Sequence, residues 1–384
     1  MSTHELRFAT RAIHAGQAPD PSTGAIMPPI YQTSTYVQPK LGEPLHGYAY
    51  ARVRNPTREA LEANIASLES GAHGIAFASG MAAIEAFMKR LSAGDHVVYE
   101  ANAYGGTHRL FATILPRLGL EFTAVDGTDT DAVRRALRPN TRVLHLETPT
   151  NPMMKVTDLA AMADIARAAG ATLLVDNTFA SPWNQRPLEL GAHAVVHSST
   201  KYLNGHSDVV GGIVVTADDA IAEELRFIQK SAGAVPGPWD SWLVLRGTKT
   251  LAVRMEAHNR NGQRVAEFLA ERLGPAAVFY PGLPTHPQHE LARRQMKGFT
   301  GMVSIELGSL ERATRLVQAT RIFALAESLG GVESLIGHPA TMTHASVPPA
   351  LRERMGVTDG LVRLSVGIED ADDLVADLEQ ALGA

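Results

Sequence analysis

His197-Ser198-Ser199-Thr200-Lys201 follows directly on the apolar run 192–196, and Leu173-Leu174-Val175-Asp176 lies just upstream. A hydroxyl-flanked lysine at one strand end and an aspartate at a nearby one are the groups that pyridoxal phosphate chemistry needs. The amine can form a Schiff base with the cofactor aldehyde, the hydroxyls can hold its phosphate, and the carboxylate can keep the pyridine nitrogen protonated so that the ring withdraws electrons. Taken singly, Lys201 reads first as a solvated loop residue, and Asp176 reads equally as the cap of a turn through Asn177-Thr178. It is their joint placement, one strand apart, that carries the reading. Ser198-x-x-Lys201 also fits the first motif of serine acyl-transfer enzymes, with Ser198 as nucleophile. That class further requires Ser-Asp-Asn and Lys-Thr-Gly, whereas here Ser207-Asp208 runs into Val209 and Lys249-Thr250 into Leu251. Its serine should also open a helix, and Ser198 closes a strand.

Positioning these groups requires a parallel sheet. Short apolar runs at 75–78, 96–99, 121–125, 143–147, 172–176, 192–197 and 212–215 alternate with helix-period segments at 81–91, 107–118, 131–137 and 159–169. Such alternation predicts an α/β unit that binds ligands at the carboxyl ends of its strands. Pro236-Gly237-Pro238 punctuates the chain, and a long helical pattern over 239–273 follows. Strands at 278–280, 302–307 and 362–366 and helices at 310–318 and 370–382 then predict a smaller α/β domain. The domain expectation is an arm over 1–60 packed on a neighbouring subunit, a large domain over 61–238 and a C-terminal domain over 239–384.

Three strand-to-helix turns add candidates. Ser79-Gly80-Met81 can present backbone N–H groups to an anion at a helix start, or be an ordinary cap. Tyr104-Gly105-Gly106-Thr107 can lay a tyrosine against a planar ring, or be a core tyrosine before a cap. In Thr148-Pro149-Thr150-Asn151-Pro152, Asn151 can donate to a ring hydroxyl or a substrate carboxylate, or belong to a proline-framed turn. No G-x-G-x-x-G follows the first strand, and no G-x-x-x-x-G-K-[ST] occurs, so dinucleotide and P-loop readings have no support.

Composition narrows the class. A net charge of −5 without a basic stripe argues against nucleic acid, and no apolar run reaches membrane-spanning length. Residues 1–5 do not begin a secretory signal, so a cytoplasmic location is expected. Cysteine is absent, which excludes disulfides, thiolate catalysis and cysteine metal sites. His286 and His289 flank Pro287 and Gln288, which argues for surface loop histidines and against a helical ligand pair; no metal is expected.

Tyr50-Ala51-Arg52-Val53-Arg54-Asn55-Pro56-Thr57, Ser79-Gly80-Met81-Ala82-Ala83, Tyr104-Gly105-Gly106-Thr107, Thr148 to Pro152, Asp176-Asn177-Thr178 and His197 to Lys201 together resemble the cysteine/methionine-metabolism family of pyridoxal phosphate enzymes. That family includes cystathionine γ-synthase, cystathionine γ-lyase and methionine γ-lyase. The resemblance continues through Glu327-Ser328-Leu329-Gly330-Gly331, Met342-Thr343-His344-Ala345 and Arg363-Leu364-Ser365-Val366-Gly367, and so spans essentially the whole chain. It implies an aspartate-aminotransferase-like, type I fold with a mainly parallel large-domain sheet, and a homotetramer built as a dimer of dimers with shared sites. It also implies Lys201 as the Schiff-base lysine and base for the α-proton, Asp176 as partner of the pyridine nitrogen, and Tyr104 as the stacking ring and an acid or base. Gly80, Met81, Ser198 and Thr200 would hold the phosphate, joined by Tyr50 and Arg52 from a neighbouring subunit. Arg363 would take the substrate α-carboxylate, with Asn151 and Ser328 beside it, although the local pattern alone makes Arg363 a surface charge.

The resemblance further implies a reaction at Cγ of an amino acid, by γ-elimination or γ-replacement. Gly106 stands where methionine γ-lyases usually carry a cysteine, while Arg109 and Glu327 match positions used around the distal part of cystathionine. Ala49 and Arg54 depart from the pattern, where cystathionine-specific relatives have an acid and a glycine. The expectation is a cystathionine γ-lyase-type enzyme ahead of a γ-synthase, with a non-catalytic pyridoxal phosphate carrier as the reading from another class.

Overall fold

A computed structural model of the chain describes residues 6–345 and 347–383; residues 1–5, read above for a targeting signal, lie outside the described residues. Seven strands form the first sheet: β1 (His73–Phe77), β2 (His96–Glu100), β3 (Glu121–Val125), β4 (Thr141–Glu147), β5 (Thr172–Asp176), β6 (Ala194–Ser198) and β7 (Gly212–Thr216). Their order is β1-β7-β6-β5-β4-β2-β3, and only β7 runs against the other six. The central strands are buried on both faces, which is why they read as unbroken apolar runs rather than alternating ones. Ile75, Phe77, Phe87 and Leu225 pack one core against the sheet, and Leu144, Leu146, Leu159 and Met162 pack another.

The second sheet contains β8 (Val278–Phe279), β9 (Met302–Glu306), β10 (Ala324–Leu325), β11 (Leu335–Gly337) and β12 (Leu361–Ser365), in the order β10-β11-β12-β9-β8. β10 pairs parallel with β11 and the remaining pairs are antiparallel. Among the described residues, no helix is long and apolar enough to cross a membrane.

Several elements differ from the sequence expectation. The stretch expected as an arm holds a helix, α1 (Phe8–His14), whose Phe8 meets Trp183 edge-on at 5.2 Å. The next helix, α2 (Pro56–Leu68), crosses position 60; Asn55 caps it by accepting from Thr57 and Arg58, and Pro56 starts it. The helical pattern over 239–273 is two helices, Pro238–Thr248 and Leu251–Leu273, interrupted at Lys249-Thr250. The run after Tyr104 begins as an α-helix at Gly105–Arg109, passes through a π-turn at Leu110–Ile114 and tightens to 3₁₀ at Leu115–Leu118. His286, expected at the surface, is buried, and burial lowers its pKa to about 4, so it packs as a neutral ring. His289 opens the helix His289–Gln295 and its Nδ1 donates to the Pro281 carbonyl, so its ring is structural.

Candidate active site

β4, β5 and β6 end at Glu147, Asp176 and Ser198, and all three line one cavity of about 380 Å³. From the second sheet comes Arg363 of β12, and from the connection between β10 and β11 comes the stretch 327–329. The structure brings Gly80, Met81, Tyr104, Asn151, Asp176, Ser198, Thr200, Lys201, Glu327, Ser328 and Arg363 to this wall. Tyr50, Arg52 and Arg109 are not on it.

One end of the cavity is built for an anion. Helix α3 (Gly80–Met88) starts there, capped by Ser79 Oγ, which accepts the Ala82 N–H at 3.0 Å. As the first helical residues, Gly80 and Met81 have N–H groups without an intrahelical acceptor. Position 80 tolerates no side chain, because a Cβ there would stand 2.9 Å from Ser198 Cβ and close the approach. Thr200 Oγ1 accepts the Gly211 N–H at 3.0 Å and so is held at the rim. Ser198 ends β6 and no helix begins at it, so the acyl-transfer geometry is absent at this residue.

At the other end sits Asp176. Its Oδ1 accepts the Thr178 N–H at 3.0 Å, so the carboxylate caps its turn and faces the cavity at once. Burial raises its pKa, opposed by the Thr178 hydrogen bonds and the nearby His197. Behind it, buried Glu69 accepts from Asn177 Nδ2 at 2.8 Å and lies 2.6 Å from His197 Nε2, a polar layer that holds the β5 and β6 ends. Tyr104, 41% exposed, stands at the mouth, and its N–H donates to Glu147 Oε2 at 2.8 Å. Gly106 lies against this ring: a Cβ there would come within 2.5 Å of Tyr104 Cε1 and 3.0 Å of Met81 Sδ.

Between the two ends Lys201 Nζ donates to Ser328 Oγ at 2.6 Å. Burial, assisted by the positive Arg363 and opposed by Glu327, lowers the lysine to about 8, which makes the neutral amine accessible near physiological pH. Arg363 is no surface charge. It is 5% exposed within β12, donating from Nη1 to Asn151 Oδ1 and from Nη2 to the Ser328 carbonyl, each at 2.9 Å. Burial lowers its pKa to about 10, so it stays cationic at neutral pH. Asn151 thus acts as acceptor for the guanidinium.

An amine, a carboxylate and a close-approach helix start at opposite ends of one cavity fit pyridoxal phosphate. The residues outside it behave differently. Tyr50 and Arg52 line a separate groove of about 320 Å³ with Gln32, Asn55 and the 235–238 segment. The Arg52 guanidinium lies 5.4 Å from the Tyr50 ring centroid and donates to the Lys230 carbonyl. Arg109 closes the short helix that follows Tyr104. A larger depression of about 600 Å³ holds Arg58, Glu62 and Arg226, whose charges face one another at 3.6 and 3.8 Å. Sequence reasoning gave no site role to Glu147, Phe179 and Val210, nor to Thr178 and Thr343 within the motifs quoted, and all five also line the main cavity. A carboxylate ending an apolar strand was the available signal for Glu147, the same one that picked out Asp176.

The fold and this cavity define a pyridoxal phosphate enzyme of type I fold. Residues 9–383 match the Cys/Met metabolism PLP-dependent enzyme family, and the chain belongs to that family. It is 55% identical to the cystathionine gamma-lyase of Bacillus subtilis, over 98% of this chain and 99% of that one. It is 54% identical to the cystathionine gamma-synthase of Mycobacterium tuberculosis, over 98% and 96%. Against the cystathionine beta-lyase of Coxiella burnetii the identity is 53%, over 97% of each. Among solved structures, metB from Corynebacterium glutamicum superposes with a TM-score of 0.96 at 49% identity, covering 100% of this chain and 99% of that one. Cystathionine gamma-lyase from Lactobacillus plantarum, complexed with L-serine, gives 0.95 at 46%, covering 98% and 99%.

Proposed function

We propose that the chain is a trans-sulfuration enzyme of the cystathionine γ-lyase type, converting cystathionine to cysteine, 2-oxobutanoate and ammonia. The observation that carries the reading is the buried Arg363, a fixed cation in the same cavity as Lys201 and bridged to it by Ser328. A guanidinium held by two acceptors is suited to a carboxylate, which would bring a substrate α-amino group toward the lysine. When bound, pyridoxal phosphate supplies an aldehyde that condenses with amines and a ring that holds the charge left at Cα. Gly80, Met81, Ser198 and Thr200 would hold its phosphate, Asp176 its ring nitrogen and Tyr104 its face.

Lys201 Nζ then removes the proton from substrate Cα, a role matched to its lowered pKa. Tyr104 at the mouth holds or delivers the proton at the departing γ-substituent, and Asn151 keeps Arg363 aimed. Ser328 and Glu327 border the substrate, and Arg109 serves its distal part. Tyr50 and Arg52 complete the phosphate site of a neighbouring subunit in a dimer of dimers, which accounts for their absence from the cavity of their own chain.

Replacement at Cγ, the γ-synthase reading, is favoured by relatives of that name at nearly equal identity. A product assay separates the two. Cystathionine alone, O-activated homoserine with cysteine, and methionine are supplied in parallel, with 2-oxobutanoate release from cystathionine expected to be fastest. Faster cystathionine formation, or pyruvate and homocysteine as products, would replace the γ-lyase assignment.

A further inference from the structure

Three neighbouring strands of the large sheet, β2, β4 and β5, end in buried carboxyl groups: Glu100, Glu147 and Asp176. Glu100 is occupied locally, accepting the Asn102 and Gly127 N–H groups at 2.9 Å each. Asp176 has its place at the ring nitrogen. Glu147 has no part in the function proposed above, yet it is 4% exposed and lines the cavity. It pairs with Asp176 in the parallel register of β4 and β5, so the two side chains leave the same face of the sheet one strand apart. Its Oε2 holds the Tyr104 N–H at 2.8 Å, and the Asn151 N–H also points to it. The charged and titratable groups around it are Asp176 and Glu100 on the sheet side and Arg363 and Tyr104 on the other. Arg363 is the cation among these, and its guanidinium is already engaged by Asn151 and Ser328.

Two ionised carboxylates on adjacent buried strand ends repel strongly, and a single proton removes the repulsion. We infer that Glu147 is a positioning residue that retains a proton at working pH, leaving Asp176 as the one negative charge at the ring nitrogen while its Oε2 pins the Tyr104 backbone. The inference rests on the Asp176 assignment. Burial, with Asp176 adding to it, pushes Glu147 well above the usual carboxyl range, in agreement with the geometry. The strand-end acids thereby divide their tasks: one holds charge, the other holds a proton and an aromatic side chain.

The test uses cofactor-loaded protein and the variants Glu147→Gln and Glu147→Ala. Glutamine keeps the acceptor for Tyr104 and imitates the neutral acid, so it carries the test even where alanine disturbs packing. The infrared carbonyl band of a protonated carboxyl group is expected in the parent protein and lost in Glu147→Gln. The pH midpoint of the visible cofactor band should stay within about 0.3 units of the parent in Glu147→Gln, and kcat should exceed that of Glu147→Ala by about tenfold. No infrared band lost, together with a midpoint that falls in Glu147→Gln, would mean that a negative charge had been removed, and would overturn the inference. Failure of the Asp176 assignment reads out separately, as an Asp176→Asn variant with an unchanged cofactor spectrum.

Discussion

The Lys201 cavity and the Tyr50–Arg52 groove are both lined by residues expected to meet one cofactor, yet they are built on opposite principles. Side chains in the cavity are held by side-chain or backbone partners that are buried or half-buried: Lys201 by Ser328, Arg363 by Asn151, and Asp176 by Thr178. In the groove, Tyr50 is 44% exposed and Arg52 reaches a backbone carbonyl of its own chain. Rigid packing suits a site that must hold reacting groups in a fixed geometry, whereas exposed side chains leave room for a contact completed from outside the chain, as proposed for Tyr50 and Arg52.

Removing the amine should have the largest effect. Lys201→Ala is expected to lower kcat by at least on the order of 10³-fold and to abolish cofactor attachment on borohydride reduction, checked by peptide mapping of residue 201. An adduct at another side chain would move the reacting centre out of the cavity. Next comes Arg363→Lys, which leaves Asn151 and the Ser328 carbonyl without their planar partner. A loss of about 10²-fold in kcat/KM, with folding retained by circular dichroism, is expected from the broken buried pair. A loss below threefold would shift carboxylate recognition elsewhere.

A smaller effect separates the walls by pH. An ordinary lysine becomes mostly neutral only above about 10.5, whereas here the lowering to about 8 shifts deprotonation into the assay range. Colour return when cofactor-free protein meets pyridoxal phosphate should therefore quicken about tenfold between roughly pH 7 and pH 9 and then level off. A rate still climbing near pH 10 would show that burial does not tune this amine. The smallest signal addresses the groove. Co-refolding Lys201→Ala with Arg52→Ala should restore about a quarter of parental activity, because a mixed dimer concentrates both defects in one site and leaves the other intact. No restoration would mean that Arg52 serves its own chain.

Much of this was legible from local pattern. Strands buried on both faces advertise themselves as apolar runs, and Asp176 and Lys201 stand out as polar residues that end or follow such runs. Gly80 and Tyr104 were visible as residues at strand-to-helix turns. Arg363 was not, since its burial comes from β9, β11 and Asn151, all far away in the chain; only the family resemblance pointed to it. His286 misled for the same reason, its loop being covered by tertiary packing. The break at Lys249-Thr250 escaped notice because apolar periodicity continues on both sides of it. Glu147 carried the same signal as Asp176 and lacked a partner motif to draw attention.

Gly106 sets a limit on redesign of this pocket. A methyl group at that position would meet the Tyr104 ring at 2.5 Å before it met any ligand. Gly106→Ala therefore acts first as a lever on the aromatic gatepost and only afterwards on any bound substrate, so attempts to change substrate preference through this residue must rebuild its neighbour in the same step.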